Sequence, residues 1–131
     1  MKPKPPRSSK WRRNQRNVLS HIRAPVHSST RYIEPCAGSG QLIRWLTEAG
    51  HNCALAIDIE PRADGIETGD GADIGPGPEM AITNPPWSRP RLLPLIDAWL
   101  EAGRTSWLLL PGNIIFNVYW TAYAPHTATI V

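Results

Sequence analysis

The stretch YIEPCAGSGQLIRWL, Tyr32 to Leu46, decides how the chain is read. A short strand-like run, Arg31 to Glu34, closes at Pro35 and passes through Gly38 and Gly40 into a segment with helical spacing. There Leu42, Ile43, Leu46 and Ala49 share one face, and Gly50 ends it. Strand, glycine turn and helix in succession open a doubly wound sheet, whose ligands bind at the carboxyl ends of the strands. Gly38 and Gly40 let the backbone turn tightly and come close to a ligand, and the first amides of the helix are donors beside it. The third glycine of a dinucleotide fingerprint would fall at Ile43, and no lysine follows the glycines. Neither a nicotinamide or flavin site nor a Walker-type phosphate loop fits. Taken alone, the turn also reads as purely structural.

Similar units follow. Cys53 to Ile57 (CALAI) is a continuous apolar run, as expected of a strand covered on both faces. Ile66 and its neighbours suggest a weak strand inside the glycine-rich stretch 65–77, and Met80 to Thr83 another short strand. Pro90 to Ala102 carries Leu92, Leu93, Ile96, Trp99 and Leu100 at helical spacing, with Gly103 as the stop. Pro94 then has to lie in the first turn, where few amides need partners. Thr105 to Leu110 (TSWLLL) and Thr127 to Val131 (TATIV) read as the last strands. Alternation of this kind predicts an α/β fold, a Rossmann-like doubly wound parallel sheet, with no internal repeat.

Composition bounds the rest. With 131 residues, 41% hydrophobic, the chain suits one domain. Cys36 and Cys53 cannot staple a secreted scaffold or build a zinc site. No apolar run reaches the ~18 residues of a membrane span, and no signal-peptide core follows the basic start. A soluble cytoplasmic protein, without a membrane or a metal, is expected. Residues 1–31 hold nine of the fourteen Lys and Arg and no acid, whereas the rest holds five bases against eleven acids. The prolines and the lack of apolar residues predict a disordered basic arm over 1–29 and a folded domain over 30–131. Nucleic acid is the partner such an arm suits, through phosphate neutralisation; a solubilising tail or a misplaced start is the alternative.

Two further segments carry chemistry. Asp58 ends the second strand eighteen residues after Gly40, where an acid suits the two hydroxyls of a ribose; with Pro61 nearby it equally suits a turn cap. Asp70 in ETGDGAD is placed either to accept from an adenine amino group or to remain a solvated turn carboxylate. After the fourth strand comes Asn84-Pro85-Pro86-Trp87. Its prolines remove amides and stiffen the backbone. The Asn84 side-chain carbonyl and the Pro85 main-chain carbonyl can then grip both hydrogens of a planar amine, with Trp87 as a stacking face. A proline turn beside a core tryptophan is the competing reading.

EPCAGSG with TNPPW, Asn84 lying forty-four residues after Gly40, resembles the class I S-adenosylmethionine-dependent methyltransferases, specifically those that modify the adenine amino group in DNA. The resemblance covers about Tyr32 to Pro111 and implies S-adenosyl-L-methionine as cofactor. It implies that Glu34, Ala37, Gly38 and Gly40 surround the methionine part, that Asp58 binds the ribose, and that Asp70 with Ala72 meets the adenine. Asn84, Pro85, Pro86 and Trp87 become the catalytic segment, and DNA, rather than RNA, the substrate. The family fold continues through a sixth strand and an antiparallel seventh beside the fifth. This chain has no segment for that last strand, which predicts a shortened domain with an apolar sheet edge at TSWLLL, open to self-association. Methylation of an RNA base or a protein glutamine uses the same grip and stays open. So does a degenerate, inactive remnant that only binds nucleic acid.

Overall fold

A computed structural model describes residues 29–130; residues 1–28, nearly all of the expected basic arm, and Val131 lie outside the described residues. Five strands form one sheet: β1 (Arg31–Glu34), β2 (Asn52–Asp58), β3 (Glu67–Thr68), β4 (Met80–Thr83) and β5 (Ser106–Leu108). Two α-helices accompany them, α1 (Gln41–Glu48) and α2 (Arg89–Glu101). The strand order is β3-β2-β1-β4-β5 and every pairing is parallel. This is a mixed α/β fold with a five-stranded parallel sheet, an order compatible with a Rossmann-like arrangement.

Alternation along the strands divides the core. On one face Tyr32, Ile82 and Leu46 of α1 are buried together, flanked by Trp45, Met80 and Trp107. On the other, Leu92 and Ile96 of α2 meet Ile114, Trp120 and Tyr123, with Leu108 and Leu110 against them. Trp107 and Leu108 are adjacent in sequence and therefore point to opposite faces.

Two expectations, for Pro94 and for the strand from Thr127, change. Pro94 is the sixth residue of α2, not part of its first turn. It removes the amide that would bond to Pro90, and both prolines are exposed, so water can satisfy the freed carbonyl. The segment after β5 forms short 3-10 turns, Ile114–Phe116, Val118–Ala122 and Ala124–His126, in which Trp120 is buried while Phe116 is exposed. Thr127 to Ile130 is irregular rather than a strand, and among the described residues β5 pairs only with β4. The Thr127 hydroxyl instead donates to the Tyr123 carbonyl, closing the last turn on itself.

Arg104, at the opposite end of the sheet from the glycine turn, organises the long connection into β4. Its guanidinium donates to the carbonyls of Gly75 (2.7 and 3.1 Å), Glu79 (2.7 Å) and Ile74 (3.3 Å). The residue is 8% exposed, and a Cβ on Gly77 would meet its nitrogens at 2.8 Å. Charge-assisted bonds of this kind contribute more than neutral ones. Arg104→Met keeps the stem and strands the carbonyls, so we expect a loss of about 2–3 kcal/mol, read as a lower urea midpoint at unchanged slope. An unchanged midpoint would show that water replaces the guanidinium.

Candidate active site

Because β1 and β4 are adjacent and parallel, with Tyr32 opposite Met80 and Ile33 opposite Ala81, the turns that leave them emerge side by side at one rim. Gly38 and Gly40 follow β1; Asn84 to Trp87 follow β4. Asp58 ends β2, and Asp70 lies two residues past β3. All the residues singled out in the sequence therefore sit at the carboxyl ends of the strands.

The glycine turn is held from three directions. Gly38 and Gly40 have φ of 55° and 74°, a region that glycine enters without penalty. The Gly38 amide donates to Asp58 Oδ2 at 2.7 Å, and the Gly38 carbonyl accepts from the Arg62 amide at 3.0 Å. Gly40 N–H closes the turn on the Ala37 carbonyl at 2.8 Å, and Ala37 N–H bonds to Ile57. Asp58 also accepts from the Glu60 amide at 2.8 Å, so each of its oxygens already holds a backbone N–H. It pins two turns together and retains lone pairs for a further donor. Arg62, which sequence reading passed over, lays its guanidinium across the turn: a Cβ on Gly38 would meet it at 2.9 Å. No local pattern announces that contact.

Glu34 is 1% exposed, beneath the turn rather than on its surface. One carboxyl oxygen accepts from the Cys36 amide at 3.1 Å. That bond ties it to the start of the turn. Burial pushes its carboxyl up to about 8; the Thr83 hydroxyl, close by but outside hydrogen-bond geometry, and the Cys36 amide oppose the shift, while Asp58 adds to it. Its folded value thus lies above the 4.5 of a free glutamate. The folded state holds the proton between those two values, so the contribution of this residue to stability is greatest below about 4.5 and falls as pH rises toward about 8. The slope is at most ~1.4 kcal/mol per pH unit. Glu34→Gln should flatten it, as read from urea midpoints between pH 5 and 8; an unchanged slope would locate the titration elsewhere.

Cys36 is no nucleophile: burial, then the charge of Glu34, drives its thiol up to about 12, the Thr83 hydroxyl opposes this, and Asp58 and Asp70 add to it. Three carboxyl groups thus lie at this end of the sheet, Glu34 holding its proton below about 8 and the Arg62 guanidinium lying across the turn beside Asp58. Asp70 accepts from the Ala72 amide at 2.9 Å and caps the 3-10 turn Gly71–Ile74. The Ala72 amide is therefore already engaged, and Asp70 remains exposed. The turn is seated by Gly71, where a Cβ would meet the Pro35 carbonyl oxygen at 2.3 Å, and by the buried Trp99 indole, which donates to the Gly71 carbonyl at 2.8 Å.

On the β4 side Pro85 is buried, and the Asn84 side-chain oxygen is buried without a hydrogen-bond partner among the described residues. Such an acceptor carries a desolvation cost until a donor reaches it. Trp87 is 41% exposed, and its indole N–H donates to the Leu109 carbonyl at 3.0 Å, which fixes the ring. Leu109 is itself tied to this corner by its amide on the Thr83 carbonyl at 3.0 Å. A groove of about 340 Å³ lies on the outer side of the glycine turn, lined by Gly40, Ile43, Arg44, Ile66 and Glu67, and none of Asn84 to Trp87 borders it. No cluster of His, Cys, Asp and Glu fit to hold a metal occurs among the described residues, and no helix among them is long and apolar enough to cross a membrane.

Comparison with protein-family models, curated proteins and solved structures finds no match to this chain.

Proposed function

We propose that this protein is an S-adenosyl-L-methionine-dependent methyltransferase that modifies the exocyclic amino group of adenine in DNA. The observation that carries the reading is the shared rim: the glycine turn after β1 and the Asn84-Pro85-Pro86-Trp87 segment after β4 stand side by side. When bound, the cofactor supplies a methyl group on a positively charged sulfur. Asp58 and Asp70, both at the carboxyl end of the sheet, are the acids available to such a cation. Gly38 and Gly40 add no side chain of their own to the turn, and Asp58 holds it in place through the Gly38 amide.

The acceptor side follows from Asn84. Its buried oxygen takes one hydrogen of a planar amine, and the Pro85 carbonyl is the neighbouring acceptor for the other. Both bonds draw electron density toward the nitrogen and fix the direction of its lone pair. Trp87 gives the base a flat, fixed face at the edge of the site. Orientation and exclusion of water are then the main contributions of the protein. A base in a duplex leaves its stack to reach the rim. The basic arm within residues 1–31 supplies phosphate contacts, Arg31 itself pairing with Glu79 at 3.3 Å, and the edge of β5 that is unpaired among the described residues is open to a second copy of the chain.

The test is transfer of labelled methyl from S-adenosyl-L-methionine to DNA, with hydrolysis of the product to identify methylated adenine. Label in RNA or protein instead would overturn the substrate class. No binding heat and no melting shift at millimolar cofactor would overturn the enzyme reading in favour of a nucleic-acid-binding remnant.

A further inference from the structure

Phe116 and Val118 are 83% and 86% exposed, more than any other large apolar side chain among the described residues. Their exposure is built rather than loose. Ile114 on one side and Trp120 on the other are buried against Leu92 and Ile96 of α2, and turns at Asn117 N–H to Ile114 O (3.1 Å) and Trp120 N–H to Asn117 O (2.9 Å) bind the segment internally. The Asn117 side-chain amide adds a bond to the Ile114 carbonyl at 3.3 Å. Two apolar side chains are thus held out on a short, anchored projection.

That projection stands next to the Asn-Pro-Pro-Trp segment. Tyr119, one residue past Val118, lies under the Arg89 guanidinium at 4.9 Å from its ring centre, and Arg89 is two residues after Trp87. Arg89 and Arg91 are both exposed, and the first turn of α2 contains no acid. The acid farther along, Asp97, accepts from the Tyr123 hydroxyl at 2.8 Å. Exposed apolar tips, with the exposed Arg89 packed on Tyr119 beside them and Arg91 two residues further along α2, match a partner that offers phosphates around stacked bases. A second copy fits less well, because a two-fold contact through this face would set arginines against arginines.

We propose that Phe116 and Val118 form a wedge that enters the base stack of duplex DNA and fills the gap left by the adenine extracted toward Asn84, while Arg89 and Arg91 hold the flanking phosphates. This rests on the methyltransferase reading above. Its distinctive consequence is that the wedge matters only where a stack has to be opened.

The experiment compares methyl transfer to native and heat-denatured genomic DNA by the full chain and by the double variant Phe116→Ser/Val118→Ser, with thermal melts of both proteins. We expect transfer to native DNA to fall at least tenfold and transfer to denatured DNA to stay within twofold. If the unaltered chain labels neither substrate, DNA falls as the substrate of the proposed methyltransferase, and the wedge with it. If it labels DNA and the variant keeps its activity on native DNA, the wedge alone is overturned. An equal loss on both substrates overturns it too, assigning the pair to folding or general binding. A change in sedimentation with native-DNA activity intact assigns the face to self-association.

Discussion

Replacing Asn84 by alanine is expected to cut methyl transfer to DNA at least about a hundredfold, the size of loss seen when a preorganised polar group is removed from a reacting centre. The expectation rests on an unusual feature of this side chain: its oxygen is buried, yet no group among the described residues satisfies it. A structural asparagine would have a partner, and losing it would destabilise the fold. Here truncation removes an unpaired acceptor, so the melting temperature should hold or rise slightly while activity disappears. Asn84→Asp keeps an acceptor and should retain measurable transfer. If the alanine variant methylates DNA at the unaltered rate, Asn84 does not grip the amine.

The second large effect is on stability. Gly71→Ala would set a methyl group 2.3 Å from the Pro35 carbonyl oxygen, a contact no side-chain rotation can relieve because both partners are backbone. Either the 3-10 turn lifts away or the end of β1 moves, and the Trp99 indole loses its acceptor in the first case. We expect a cost of about 4 kcal/mol. In a domain of this size that lowers the melting temperature by about 20 °C. Gly112→Ala is the control, since nothing lies within 4 Å of its added Cβ and its φ is not positive. Equal melts for the two variants would mean that the approach of Gly71 to Pro35 is not needed for folding.

The two central strands were legible because their neighbours punctuate them. Pro35 closes Arg31–Glu34, and Pro85 follows Met80–Thr83 at a distance of two residues. Helix α1 followed from its spacing and its glycine ends. The segment from Thr127 was misread, because the β-branched Thr127, Thr129 and Ile130 satisfy a strand pattern while no neighbour pairs with them among the described residues. Pro94 was misplaced for a related reason: whether a proline ring can sit in a second helical turn depends on which way it faces, and here it faces solvent. The candidate site divides similarly. Glycine turn, Asp58 and Asn84 came from local pattern and order. The contacts that hold them did not, since Arg62 on Gly38, Gly71 on Pro35 and Leu109 on Trp87 each join residues more than twenty positions apart. The burial of Glu34 was not legible either, because the letter at that position carries no information about depth.

The bond from the Trp87 indole to the Leu109 carbonyl has a thermodynamic consequence. An untethered indole on a surface samples several orientations and must give them up when a guest ring arrives. This one surrenders its torsional freedom when the chain folds, so a planar guest meets a plate already standing upright, and the favourable contact is offset by less lost motion.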